Sequence, residues 1–205
     1  MVNPSILDPA ASYSFSQYGA LPFDTADVLA EFGVALQLTT LDLPEQQILD
    51  PSPLAQELTE NLALVDPTSE MARRESLIFP ILKTVCKTIQ SPLKIEYSIQ
   101  VSKQLKGNVD YFIPTSQNLV IIEAKNADIG KGFTQLAVEL IALDQWIDAP
   151  ADCLYGAVTT GDIWKFGRFY RQQKLIQKDI STYGVPNDLT KVLAILFGIT
   201  LLAGT

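Results

Sequence analysis

The chain reads as an α/β protein: a mixed central sheet flanked by helices, preceded by a helical extension. Three observations predict this. Apolar residues recur at helical spacing near both ends and again around residue 140, while 95–113 alternates with a strand's period. Between them lies a continuous apolar run, Leu119-Val-Ile-Ile122, expected of a strand buried on both faces.

The elements follow in order. Val28, Leu29, Phe32 and Leu36 predict a helix over Thr25–Leu38. Asp50-Pro-Ser-Pro53 breaks the chain, and Leu54–Leu64 predicts a second helix. Asp66-Pro67 marks a helix start, and Leu77, Ile78, Ile81, Leu82 and Val85 carry that helix to about Ile89. Pro80 should kink it, because proline removes a backbone donor. Ile95, Tyr97, Ile99 and Val101 alternate as a strand, Val109–Ile113 is a second, and 114–118 a turn before the apolar run. Phe133, Leu136, Leu140 and Ile141 predict a helix ending near Ile147. Leu154–Thr160 and Ile163–Tyr170 read as strands joined across Gly161-Asp162, and an apolar helix spans Leu189–Leu202. The division expected is an acidic helical segment, 1–66, followed by one domain over 67–205.

Composition narrows the chemistry. The 205 residues include no histidine, which excludes a Ser-His-Asp triad, a Cys-His dyad and a His-ligated zinc. Cys86 and Cys153 cannot form a four-cysteine zinc site and read as core residues. Two unpaired cysteines and the lack of a leader-like start predict a cytoplasmic protein. The longest apolar segment, 192–203, falls short of the roughly 20 residues that cross a bilayer, so no membrane contact is expected. Net charge is −8, distributed as −11 over 1–70, +4 over 71–131 and −1 over 132–205. That balance argues against non-specific coating of nucleic acid, which needs clustered Lys and Arg. The middle segment still offers a basic surface, in which Arg73, Arg74 and Lys131 are candidate nucleic-acid contacts.

The candidate centre is Asp110 together with Glu123-Ala124-Lys125 at the end of the apolar run. Residues two apart on a strand share a face, so Glu123 and Lys125 emerge together where a buried strand ends. Buried charges without partners are costly, so these should meet a metal or each other. A hairpin would bring the Asp110 carboxylate towards Glu123, and two carboxylates with a backbone carbonyl suit Mg²⁺ or Mn²⁺. Such an ion polarises a phosphoryl oxygen, and Lys125 would add positive charge beside the reacting phosphate. Glu75, on the preceding helix, can reach the same place, and Gln135 and Glu139 share one face of the following helix.

Glu75, Val109-Asp110, Glu123-Ala124-Lys125 and Gln135-x-x-x-Glu139, in this order, resemble the PD-(D/E)XK nuclease superfamily, which has the restriction-endonuclease-like fold. The chain looks most like the nuclease domains of multisubunit restriction enzymes and their stand-alone relatives, where a hairpin such as Gly161-Asp-Ile-Trp164-Lys-Phe166 also follows the second helix. The likeness covers roughly 68–170. It implies a deoxyribonuclease in which Asp110, Glu123 and the Ala124 carbonyl bind Mg²⁺ and Lys125 is the catalytic lysine. Glu75 would assist at the metal, with Gln135 beside it. Val109 stands where the family nominally has Pro, and Glu139 where its recombination-type members have Tyr. The competing reading is a non-catalytic binding or scaffold module that keeps the fold. DNA is the expected partner. No Walker-type loop occurs, so a motor or targeting function falls to a partner protein, and the last helix reads as a core lid or a homodimer contact.

Overall fold

A computed structural model describes residues 6–115, 119–123, 128–147 and 151–202, with the backbone alone over 119–123. It shows a mixed α/β fold. The chain opens with α1 (Phe15–Tyr18), α2 (Thr25–Ala30), β1 (Ala35–Thr39) and α3 (Ser52–Leu64). Next come α4 (Glu70–Arg73), a π-helical turn (Arg74–Ile78) and α5 (Phe79–Ile89), then strands β2 (Lys94–Gln100), β3 (Lys106–Ile113) and β4 (Leu119–Glu123). Helix α6 (Ile129–Trp146) leads to β5 (Cys153–Thr159), β6 (Ile163–Tyr170), β7 (Leu175–Asp179), β8 (Tyr183–Gly184) and α7 (Leu189–Leu201).

The strands form one sheet in the order β1-β7-β6-β5-β4-β3-β2, with β8 beside β6. β3 runs antiparallel to both β2 and β4, whereas β4 and β5 are parallel and joined by α6, as a parallel pair requires a crossover. Two apolar clusters fill the two faces. One gathers α3, α5 and α7, with Trp164 and Phe166 fully buried; the other gathers α1, α2 and α6 around Phe133 and Phe169. Helix α6 sits low on the sheet because Gly167 leaves room for it: a Cβ there would meet the Phe133 ring at 2.7 Å. Among the described residues, no helix is long and apolar enough to cross a membrane.

Three elements depart from the sequence expectation. The helix predicted over Thr25–Leu38 ends at Ala30; Gly33, at φ +66°, turns the chain, and β1 pairs in parallel with β7 (Leu36 opposite Ile176). Leu36 satisfies helical spacing from Phe32 and strand alternation with Leu38, and pairing with β7 decides between them. The N-terminal region therefore supplies an edge strand as well as helices.

The long helix expected from Asp66-Pro67 instead starts at Ser69, whose hydroxyl accepts from Ala72 N–H at 3.1 Å. Its irregularity is a π-helical turn just before Pro80, which occupies the first turn of α5. In a regular helix an N–H at position 80 would reach the Ser76 carbonyl. That carbonyl accepts the Asn61 side-chain amide of α3 at 3.0 Å instead. Finally, β7 is an additional strand, paired with both β6 and β1.

Candidate active site

Asp110 lies within β3, with 9% of its surface exposed. The β3–β4 pairing sets Tyr111 opposite Ile121. Asp110 is next to Tyr111 in β3, and Glu123 lies two residues past Ile121 in β4, the neighbouring strand. Glu123 closes β4 and pairs with Thr159 of β5. Its side chain lies outside the described atoms, as do Ala124 and Lys125 altogether.

The sheet is irregular at Asp110. Val109 and Phe112 join the α6-side cluster, whereas Tyr111 and Ile113 join the opposite one, so the alternation breaks between 109 and 111. Across from Asp110, Glu96 adopts φ +52° and leaves a gap in a ladder regular on both sides. A non-glycine residue in that region is uncommon and costs of order 1 kcal/mol or more. The switch lets Asp110 meet both flanks of the sheet: it shares a cleft with Gln135 of α6, and its charge acts on Arg74 of the π-helical turn.

Arg74 ties these parts together. Its Nη1 lies 2.9 Å from Glu96 Oε1, its Nε donates to the Tyr111 hydroxyl at 3.2 Å, and its guanidinium stacks 5.1 Å above that ring. Burial works against its charge, but the bonds to Tyr111 and Glu96 and the Asp110 carboxylate outweigh burial and hold it cationic. Arg73 is half-buried and donates from Nη1 to the Thr68 carbonyl at 3.1 Å. Glu75 stands exposed on the same turn and is not among the residues lining the Asp110 cleft.

On the other flank, Gln135 and Glu139 are both buried, and Gln135 Nε2 donates to Glu139 Oε1 at 2.9 Å. The i, i+4 pair expected on one helix face thus faces inward, and Gln135 reaches the Asp110 cleft. Lys131 is exposed in the first turn of α6, 3.7 Å from the Asp128 carboxylate that caps that helix.

The cleft holds about 350 Å³ and is lined by Asp110, Glu96, Asn108 and Gln135, with Ser14 and Ser16 opposite. Glu96, Ser14 and Ser16 are contributions the sequence reading missed. Glu96 alternates with Ile95 and Tyr97 as an ordinary outward polar residue, and nothing in the sequence signals its backbone. The serines had a signal: Ser14-x-x-Gln17 is a capping pattern, realised by Ser14 N–H donating to Gln17 Oε1 at 2.6 Å.

The oxygens described in the cleft are hard donors, which suit Mg²⁺ or Mn²⁺ and not a soft metal. Among the described residues, no three carboxylate or thiol ligands converge on one point. The two thiols lie elsewhere: burial pushes Cys86 and Cys153 up to about 11. Comparison of the chain with protein-family models, curated proteins and solved structures returned no match.

Proposed function

We propose that the chain is a metal-dependent nuclease that hydrolyses phosphodiester bonds of DNA at the β3–β4 edge. The observation that carries this reading is the placement of Asp110: a carboxylate in a polar cleft, at a break in the sheet, beside the strand that ends in Glu123. On this reading Asp110, Glu123 and the Ala124 carbonyl hold Mg²⁺ or Mn²⁺. The bound ion supplies Lewis-acid polarisation of the scissile phosphoryl group and lowers the pKa of a water.

The chain's own side chains do the rest. Lys125 orients the attacking water and offsets charge building on the phosphate, which is worth most where water is scarce. Arg74, fixed by Glu96 and Tyr111, steadies the Asp110 carboxylate from the sheet's other side. Gln135, held by Glu139, presents an amide to the same cleft. Water attack breaks one P–O bond and leaves a phosphate monoester and a hydroxyl. A restriction-endonuclease-like core and a cytoplasmic setting belong to the same proposal.

The test is cleavage of single-stranded and duplex DNA with Mg²⁺ or Mn²⁺ by wild type, Asp110→Ala and Lys125→Ala. Metal-dependent cleavage that falls at least about 100-fold in both variants supports the reading. Cleavage that survives both substitutions contradicts the site. Absence of cleavage by the folded wild type returns the weight to a binding module.

A further inference from the structure

The Asp110 cleft has a neighbouring cavity. This second cavity, of about 300 Å³, lies between α1 and the first turns of α6, lined by Ser16, Gly19, Ala20, Asp128, Lys131, Gly132 and Gln135. Ser16 and Gln135 border both spaces, so the two adjoin between Asp110 and Lys131. Gln135 and Lys131 are four residues apart, about 6 Å along the helix, roughly one backbone step of a nucleic-acid strand.

The α1 wall of this groove is fastened to the sheet. Tyr13 N–H donates to the Lys103 carbonyl at 2.9 Å, and the Tyr18 hydroxyl to the Gln104 carbonyl at 2.6 Å. Phe15 is buried against Gly107, whose φ of +144° suits glycine and where a Cβ would meet the ring at 2.9 Å. The wall is therefore a fixed part of the β2–β3 hairpin and not a lid.

The lining discriminates between substrates. Duplex binding is dominated by phosphate contacts from Lys and Arg, and Lys131 is the one basic side chain lining the groove among the described residues. The other polar groups are hydroxyls and amides (Ser14, Ser16, Asn108 and Gln135) beside the acids Glu96, Asp110 and Asp128, the last 3.7 Å from Lys131. Such groups can hydrogen-bond Watson–Crick base edges, which a single strand presents and a duplex keeps paired.

We propose that the groove between α1 and α6 carries a single nucleic-acid strand past Asp110, making single-stranded DNA the preferred substrate; this rests on the nuclease reading above. Ser16, which lines both cavities, stands where they adjoin, and Lys131 meets one backbone phosphate at the far end.

The experiment measures fluorescence anisotropy of a labelled oligonucleotide, single-stranded or annealed, in EDTA, for wild type, Ser16→Trp and Lys131→Glu. Hydrolysis of bis(p-nitrophenyl) phosphate with Mn²⁺ by wild type is read in parallel. The single strand is expected to bind about tenfold tighter than duplex, with Ser16→Trp erasing about that factor. Lys131→Glu should flatten the salt dependence by about one phosphate contact. Equal binding of duplex, or a single-strand preference untouched by Ser16→Trp, overturns the groove and leaves the nuclease reading standing if the small diester is hydrolysed. Failure to hydrolyse the small diester or any DNA overturns that reading and the inference with it.

Discussion

Asp110 takes its role from its neighbours in space. A carboxylate in the middle of a strand is ordinarily either solvated or costly; here it is nearly buried, polar on one flank through Gln135 and electrostatically answered on the other by Arg74. Asp110→Asn keeps the size and removes the charge, so cleavage should fall at least about 100-fold while the far-ultraviolet dichroism is unchanged. A variant that cleaves as wild type does would mean the carboxylate is structural. The cysteines belong to the same scale. Thiols held at about 11 by burial stay protonated at pH 8, where the thiolate is the reactive form. Ellman's reagent should therefore modify the folded protein slowly and the guanidinium-unfolded chain fast, and equal rates would contradict the burial. That Gln135 and Glu139 share one helix face was legible, because helix periodicity is written in residue spacing. Glu96 was not, and Arg74 was singled out only as a nucleic-acid contact, because the contact between them depends on a backbone irregularity that leaves no mark in residue spacing.

At the scale of elements, the joint between the π-helical turn and α5 depends on a contact from another helix. The Ser76 carbonyl, which an N–H at 80 would reach in a regular helix, accepts from Asn61 of α3. Asn61→Ala should lower stability by about 1–3 kcal/mol, the usual cost of a buried acceptor left without its donor. In a Pro80→Ala background the same substitution should cost less, since a backbone donor returns; denaturant titration of the four proteins measures that coupling. Additive losses would mean the amide does not serve that carbonyl. Helix α7 offers a second test. A Cβ on Gly198 would overlap the Pro44 carbonyl, so the segment crossing α7 must shift in Gly198→Ala. A loss of about 1–3 kcal/mol in thermal unfolding is expected, and an unchanged midpoint would contradict that close approach. Most core elements were legible, with β2, β4, β5, β6 and α7 each within about a residue of the expected bounds. β1 and β7 escaped because five-residue strands with two or three apolar positions fit either period, and only their mutual pairing settles them.

At the scale of the molecule, the acidic N-terminal segment is woven into both apolar clusters. Ten of its described residues are buried, from Leu7 and Phe15 on the α6 side to Leu54 and Leu58 on the other. Burial of such side chains is worth about 1.5–3 kcal/mol each, and a domain's whole stability is about 5–15 kcal/mol. Residues 67–205 expressed alone should therefore show no cooperative thermal transition; a sharp one would mean the segment is dispensable for folding. Charge asymmetry along the sequence drew attention to this segment but not to its packing, because net charge speaks to partners and solubility and not to fold.

The claim on which the account turns is that Asp110 and Glu123, on neighbouring strands, share one divalent ion. Calorimetric titration of Mn²⁺ into wild type, Asp110→Ala and Glu123→Ala tests it without reference to substrate. One ion per chain, lost in each folded variant, is the predicted result; an ion retained at wild-type affinity in either would contradict it.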